Sequence, residues 1–369
     1  MGRQLGLYIH IPFCKSKCDY CDFYSLPERE ARMDAYQKAL LAHLKETAPQ
    51  AKGYLVDTVY FGGGTPSFYG EKRLRELLSA VKKRFEVAGN AEISLEANPD
   101  SVDKKSMVRL RRAGVNRVSL GMQSAHDDEL EALHRAHTWQ QTRQAVAAIR
   151  EAKVKNLTLD LIYGLPGQDM ARWQDSVEQA IALQPELLSC YGLKVEEGTP
   201  LCGRVQRGEV LPTDDEQADM YLWGVERLEA AGYHQYEISN FAKPGYEGRH
   251  NLIYWDCGDY LGLGPAAHSC MGGRRFYYPP DTAAFLNDAA APVTDGSCGA
   301  EDYLILQLRL RKGLSLDAYK KLYGKEFSTA QLAFVQNCVR AGYASFDGRT
   351  LALTPAGLIV QNSILAQLL

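Results

Sequence analysis

Short apolar runs alternate with longer amphipathic segments over the first two-thirds of the chain. The runs Leu5–Ile11, Val56–Phe61, Ala91–Ala97, Asn116–Gly121, Leu157–Tyr163 and Leu188–Leu193 are rich in Val, Ile, Leu, Tyr and Thr and predict strands. The segments between them carry helical periodicity. In Met33–Glu46, Tyr36, Leu40, Leu41 and Leu44 fall on one stripe; Lys72–Phe85, Lys104–Arg112, Trp139–Glu151 and Arg172–Leu183 follow the same pattern. Strand and helix repeated this way predict an α/β fold with a parallel sheet and right-handed crossovers. Six units over residues 1–235 predict a partial (β/α)6 barrel. In such barrels the chemistry sits on loops at the C-terminal ends of the strands. Here those loops are Gly62-Gly63-Gly64-Thr65, Asn98-Pro99, Gln123-Ser124 and Gly164-Leu165-Pro166.

The pattern changes after one more amphipathic helix, Asp214–Gly232. Phe241–Gly273 is glycine-rich and reads as loop, and Pro279–Gly299 reads as a linker, so residues 236–300 are expected to connect two domains. Residues 301–369 read as helices closed by a hairpin, Tyr343–Phe346 and Leu351–Leu353 around Asp347-Gly348, then a last helix from Thr354-Pro355. That predicts a small, mainly helical, winged-helix-like C-terminal domain. The usual link of such domains to DNA carries no functional weight, because a fold does not imply an activity. A net charge of −3 also argues against a nucleic-acid partner, which normally meets a basic face. The N-terminal MGRQLGLYIHIPF lacks the layout of a secretory signal. No run approaches the roughly 20 apolar residues of a membrane span. A cytoplasmic chain is expected, and its nine cysteines suggest free thiols or metal ligands rather than disulfides.

Three of those cysteines, Cys14, Cys18 and Cys21, have the spacing C-x3-C-x2-C. Three thiolates within eight residues can wrap one soft metal centre. Electron-transfer clusters normally take four cysteines, so a triplet leaves one iron open for chemistry. Zinc is the other reading, with a fourth ligand sought among Cys190, Cys202 and His10. Tyr8, Phe13, Tyr20 and Phe23 are expected to form an apolar shell controlling solvent access. Gly62–Gly64 would let backbone approach a ligand, or simply make a tight turn. Glu96, at a strand end, could accept hydrogen bonds from a sugar, or merely face solvent.

The cysteine motif resembles the signature of radical S-adenosylmethionine proteins. That resemblance implies a [4Fe–4S] cluster on Cys14, Cys18 and Cys21, with S-adenosylmethionine on the open iron and radical release on its reduction. It also implies that Tyr8, Phe23, Gly63, Gly64, Thr65, Glu96, Gln123, Arg135 and Asp160 contact the S-adenosylmethionine. Five stretches resemble the oxygen-independent coproporphyrinogen III oxidase group within that superfamily: Tyr8–Cys14, Gly62–Ser67, Glu96–Pro99, Val115–Gln123 and Leu159–Pro166.

That group holds a decarboxylase of coproporphyrinogen III and the HemW-like heme chaperones. The oxidases continue the signature as C-x3-C-x2-C-x-C, whereas Phe23 stands at that fourth position here. They also carry an N-terminal extension, which is not expected where the first cysteine is residue 14. His250-Asn251-Leu252-Ile253-Tyr254-Trp255 resembles the H-N-x-x-Y-W heme motif of the chaperones. The resemblance implies His250 as axial ligand of heme iron, with Asn251, Tyr254 and Trp255 around it. Without it, a lone histidine beside core aromatics is the plainer reading. His268, Cys257 and Cys270 are less favoured ligands. The expected function is heme binding and delivery to acceptor hemoproteins, membrane-bound ones included, with peripheral membrane association and a homodimer linked through cluster or heme. Coproporphyrinogen oxidase activity is not expected. The alternatives are that oxidase, a radical methyltransferase or a heme-degrading enzyme.

Overall fold

All six predicted strands form, and they lie side by side in chain order. They are β1 (Arg3–Ile11), β2 (Tyr54–Gly63), β3 (Val87–Ala97), β4 (Arg117–Gln123), β5 (Asn156–Tyr163) and β6 (Leu187–Gly192), all parallel. The computed structural model describes residues 3–27 and 30–369. Between the strands run α1 (Glu30–Thr47), α2 (Glu71–Arg84), α3 (Lys104–Ala113), α4 (Trp139–Glu151) and α5 (Met170–Ala182). After β6 comes α6 (Asp214–Ala230). Local chemistry sets the helix starts. Asp103, Thr138, Asp169 and Thr213 each accept a first-turn N–H, and Thr138 and Thr213 complete capping boxes with Gln141 and Glu216.

The strands place the site because their side chains alternate. In β1, Leu5, Leu7, Ile9 and Ile11 are fully buried in the main core, as Tyr36, Leu40 and Leu44 of α1 are. The alternate residues of the strands are polar: Tyr8 and His10, Thr58 and Tyr60, Glu92 and Glu96, Arg117 and Ser119, Thr158 and Asp160. They bond to one another across the concave interior; Arg117 reaches Thr158 Oγ1 at 3.0 Å and Ser119 Oγ reaches Asp160 at 3.0 Å.

Residues 241–273 are not the loop that their glycines suggested. They contain most of β8 (Asn240–Ala242), then α7 (Arg249–Trp255), β9 (Tyr260–Leu263) and β10 (His268–Met271). Strand β9 lies parallel to β1 on its free side, pairing Gly6 with Tyr260 and Ile9 with Leu263. Strands of four residues are too short for periodicity to reveal. Gly262 is needed for packing, since a Cβ there would sit 2.2 Å from the His268 carbonyl oxygen. Nor is 279–299 a structureless linker: it holds α8 (Thr282–Leu286) and β12 (Val293–Ser297). With β7 (His234–Gln235) and β11 (Arg274–Tyr277), the sheet has twelve strands in the order β12-β11-β10-β9-β1-β2-β3-β4-β5-β6-β8-β7.

The C-terminal part has helices at Ala300–Gln307, Leu316–Tyr323 and Thr329–Arg340, then strands Ala344–Phe346 and Thr350–Leu353. Helices Pro355–Ile359 and Gln361–Leu368 close it. The hairpin pairs with Leu314–Ser315 in a three-stranded sheet, the winged arrangement expected. Among the described residues no helix is long and apolar enough to cross a membrane.

Candidate functional site

The cysteine loop leaves β1 over the C-terminal ends of the strands and is fixed from three sides. Gly64 N–H donates to Ile11 O at 2.8 Å and Thr65 N–H to Phe13 O at 2.7 Å. Asp19 accepts from Arg204 Nη1 at 2.8 Å and pairs with His134 Nδ1 at 2.7 Å. Arg135 spans the loop, donating to Cys18 Sγ at 3.5 Å, Asn98 Oδ1 at 2.7 Å and the Gly121 carbonyl at 3.1 Å. Thr65 Oγ1 donates to Cys14 Sγ at 3.4 Å.

All three thiols are free. Burial pushes the Cys14 thiol up and the Cys21 thiol up to about 11. Thiols in this state are protonated at neutral pH, so a bound metal must drive their deprotonation. Donors aimed at Cys14 and Cys18 suit thiolates of an iron–sulfur cluster, whose potential such bonds raise. None of the three candidates for a fourth zinc ligand meets the triplet: the ring nitrogens of His10 bond Tyr8 OH at 3.1 Å and Tyr24 O at 3.0 Å, Cys190 is packed in the main core, and Cys202 is not in the lining that the three cysteines share. The residues present therefore fit a cluster on three thiolates.

A cavity of about 490 Å3 opens beneath the loop. It is lined by the three cysteines and by Phe23, Gly63, Gly64, Thr65, Glu96, Gln123, Arg135 and Asp160. Tyr8 is not in the lining: it lies lower, its hydroxyl bonded to His10 and its ring stacked on Tyr60 at 6.1 Å. The expected aromatic shell is likewise reduced to Tyr20 and Phe23. Phe13 is in the core, stacked on Tyr69 at 5.4 Å, and Phe23 is 66% exposed at the cavity mouth, where it shields little.

Two glycines make the cradle. Gly63 has φ +115°, and a Cβ on it would lie 2.5 Å from His10 Cε1; a Cβ on Gly64 would lie 2.8 Å from the Phe13 backbone. Glu96 accepts from Tyr60 OH at 2.8 Å and Gly63 N–H at 3.0 Å. Burial still pushes its carboxyl up to about 7. Burial also raises the Asp160 carboxyl, although Ser119 donates to it. Asn98, on one of the loops named from the sequence, lines the cavity as well; Tyr60, Ser119, Tyr191 and Lys194, which the sequence reading missed, also line it. For Tyr60, Ser119 and Tyr191 there was a signal: each stands on the polar, alternate face of a strand.

The H-N-x-x-Y-W segment is helix α7, on the far side of Tyr60 from the cavity. Arg249 and His250 N–H groups donate to the two Glu92 carboxylate oxygens at 3.2 and 3.1 Å, which caps α7 where Gly248 has no side chain to do so. Glu92 is paired with buried Arg117 at 3.5 Å. His250 is 2% exposed, and both ring nitrogens are used: Nδ1 with Thr58 Oγ1 at 2.6 Å and Nε2 with Tyr254 OH at 2.7 Å. Burial brings its pKa down to about 3.

In this conformation neither ring nitrogen of His250, the implied axial ligand, has a free lone pair. Thr58 and Tyr254 orient the ring. Tyr254 is packed edge-on against Tyr260 at 4.6 Å, and Trp255 lies under the Arg309 guanidinium at 5.4 Å. Among the less favoured ligands, His268 is stacked on Tyr277 at 5.0 Å and Cys270 is buried.

Known proteins share this fold. The Radical SAM superfamily model matches residues 8–180, and the HemN C-terminal domain model matches residues 300–360. Coproporphyrinogen III oxidase (HemN) from Escherichia coli has the same fold, with a TM-score of 0.85 over 100% of this chain and 90% of that one, at 22% identity. The protein named heme chaperone HemW of Mycobacterium tuberculosis is 38% identical over 100% of this chain and 95% of its own length. Its namesake in Bacillus subtilis is 32% identical over 97% of each chain. The Escherichia coli one is 43% identical over 72% of this chain and 69% of its own. With a cysteine-crowned barrel, a HemN-type C-terminal domain and full-length relatives at this identity, the chain belongs to the HemW family of the radical SAM superfamily.

Proposed function

We propose that this protein is a heme chaperone: it binds heme, delivers it to acceptor hemoproteins, and carries a [4Fe–4S] cluster with S-adenosylmethionine. One observation carries the choice over the oxidase. Position 23, two beyond the last cysteine, holds an exposed Phe and adds no thiol, in a chain 38% identical to a relative named heme chaperone HemW. Cys14, Cys18 and Cys21 hold the cluster; Gly63, Gly64, Thr65, Glu96, Gln123, Arg135 and Asp160 hold S-adenosylmethionine. The cluster, when bound, supplies an iron with an open coordination position. We further place the protein in the cytoplasm, with delivery to acceptors at the membrane and pairing of two copies through cluster or heme.

His250 belongs to this reading in an opened form. In the closed one it fastens α7 to the barrel, and it reaches iron once Thr58 and Tyr254 release it. Tyr60 joins the two regions, its ring 5.0 Å from that of His250 and its hydroxyl on Glu96.

Glu96 gives the cofactor site a pH dependence. A carboxyl raised above its ordinary range favours the neutral form; that contribution to stability is full below about 4.5 and is lost as pH rises through about 7. S-adenosylmethionine brings a sulfonium and an ammonium, which favour the ionised carboxylate. Its affinity is therefore expected to rise as pH passes through about 7, and Glu96→Gln to flatten the profile. Calorimetric titration of the reconstituted protein checks this, and a flat wild-type profile removes Glu96 from the site.

The function is tested by loading the reconstituted protein with hemin and mixing it with an apo-hemoprotein. The expected result is a Soret band that moves to the acceptor. Decarboxylation of coproporphyrinogen III by the reduced protein with S-adenosylmethionine would overturn the reading.

A further inference from the structure

Three cysteines outside the cluster triplet meet at one edge of the sheet, and nothing in the proposed function uses them. Cys270 lies on β10, 2% exposed, opposite Tyr260 of β9 and Arg275 of β11. Cys298 follows β12, and its N–H donates to Gly273 O at 2.8 Å. Cys257 follows α7, the helix that carries His250. The Cys298 thiol stands between the other two and contacts both.

Cys257 is there against its backbone preference. It has φ +51°, in the left-handed turn that ends α7, where glycine is the usual residue. Its N–H donates to Tyr254 O at 3.1 Å, and Gly258 N–H donates to Ile253 O at 2.8 Å. The turn closes the helix and leaves the Cys257 side chain beside Cys298.

Of the two pairs, one suits a covalent bond. Strand β11 separates β10 from β12, so the Cys270 and Cys298 backbones are about two strand spacings apart, roughly 9–10 Å. That exceeds the roughly 7 Å a disulfide spans. Cys257 belongs to a turn and escapes this constraint. Cys257 and Cys298 are also half-buried, whereas Cys270 is buried, so a small oxidant reaches the first two sooner. Contact with Cys257, aided by burial, pushes the Cys298 thiol up to about 12. The pair therefore rests as thiols and oxidises slowly.

We propose that Cys257 and Cys298 form a disulfide under oxidising conditions, and that this bridge latches α7 in its closed position. The oxidant is a small disulfide of the glutathione class. One protein thiolate attacks it, giving a mixed disulfide and one small thiol. The second protein thiol then attacks the protein sulfur of the mixed disulfide, and the second small thiol leaves. Two cysteine sulfurs lose two electrons, the small disulfide gains them, and the two cysteine protons end on the two small thiols. Cytosolic disulfides of this kind are transient, and a reductant reverses them.

The latch acts where α7 is already fastened. Gln307 donates to Trp255 O and to Asp256 Oδ1, both at 2.9 Å, and Lys312 pairs with Asp256 at 2.7 Å. Those bonds can yield to an opening motion; a sulfur–sulfur bond yields only to a reductant. The bridge joins the end of α7 to the residue before Gly299, which caps the C-terminal helix Ala300–Gln307. The consequence for heme rests on the heme-chaperone reading, in which His250 reaches iron once Thr58 and Tyr254 release it. A latched α7 keeps His250 on both of them.

The test incubates the reconstituted full-length protein with oxidised glutathione without oxygen, for hours, and then blocks the remaining thiols. Peptide mass spectrometry without reduction should find Cys257 joined to Cys298. Hemin titration of the oxidised protein should show an affinity at least about tenfold lower, since the binding-competent form is depleted, and dithiothreitol should restore it. Cys257→Ser and Cys298→Ser should form no bridge and keep the reduced wild-type affinity after the same treatment, which separates the latch from any loss of cluster. Cys270→Ser should still form the bridge. Glutathione adducts alone, or Cys298 joined only to Cys270, would overturn the proposal. A Cys257–Cys298 bridge with unchanged hemin affinity would remove the latch and leave the oxidation site standing. Reduced wild type that binds no hemin would overturn the chaperone reading and the latch with it, while the mapped bridge would still stand.

Discussion

Replacing Cys14, Cys18 or Cys21 singly by Ala should empty the site of iron. Wild type reconstituted without oxygen should hold about four irons per chain, and each variant less than about one. Two thiolates cannot hold a cubane that already lacks a fourth protein ligand. Burial deepens the loss, because it favours the protonated thiols at Cys14 and Cys21, so they release their protons only against a metal. S-adenosylmethionine affinity should fall with the iron. The fold should survive, since the loop is also held by Asp19 with Arg204 and by Thr65 N–H on Phe13 O. Cys190→Ala and Cys202→Ala should retain full iron and serve as controls. Metal analysis decides: stoichiometric zinc in place of iron in wild type, or full iron in the Cys18 variant, would sink the cluster assignment.

Arg117→Met should be the most destabilising change away from the cluster, by about 3–5 kcal/mol. The guanidinium lies inside the barrel with 8% of its side chain exposed, and Glu92 beside it has 6%. Removing Arg117 strands a buried carboxylate and also empties its bonds to Thr158 Oγ1 and the Tyr246 carbonyl. The effect should spread to α7, because the same carboxylate caps that helix at Arg249 and His250. Denaturant unfolding gives the free energy, and faster hydrogen exchange at the Arg249 and His250 amides gives the location. Glu92→Gln added to Arg117→Met should recover a good part of the loss, since the stranded charge goes. The exposed pair Lys104–Glu151, with 62% and 56% of its side chains in solvent, should lose less than about 1 kcal/mol when Lys104 becomes Ala. A comparably small loss for Arg117→Met would refute the idea that this pair anchors the motif helix.

The barrel was legible because its signals are local. Leu5, Leu7, Ile9 and Ile11 alternate with Tyr8 and His10 within one strand, and Asp103, Thr138, Asp169 and Thr213 announce helices one residue ahead. The cluster was legible for the same reason, since its three cysteines lie within eight residues. Strand β9 was not: four residues have no measurable period, and its partner β1 lies some 250 positions earlier.

What the sequence alone determined is the inventory: six β/α units, a triplet of thiols and a loop of glycines that needs close backbone approach. What only the tertiary structure decided is which polar atoms remain free. His250 stood out by its motif, yet Thr58, from a strand almost 200 residues away, takes one nitrogen and Tyr254 the other. Ligand capacity belongs to a lone pair and its surroundings, and those surroundings come from residues that the chain brings together only when it folds.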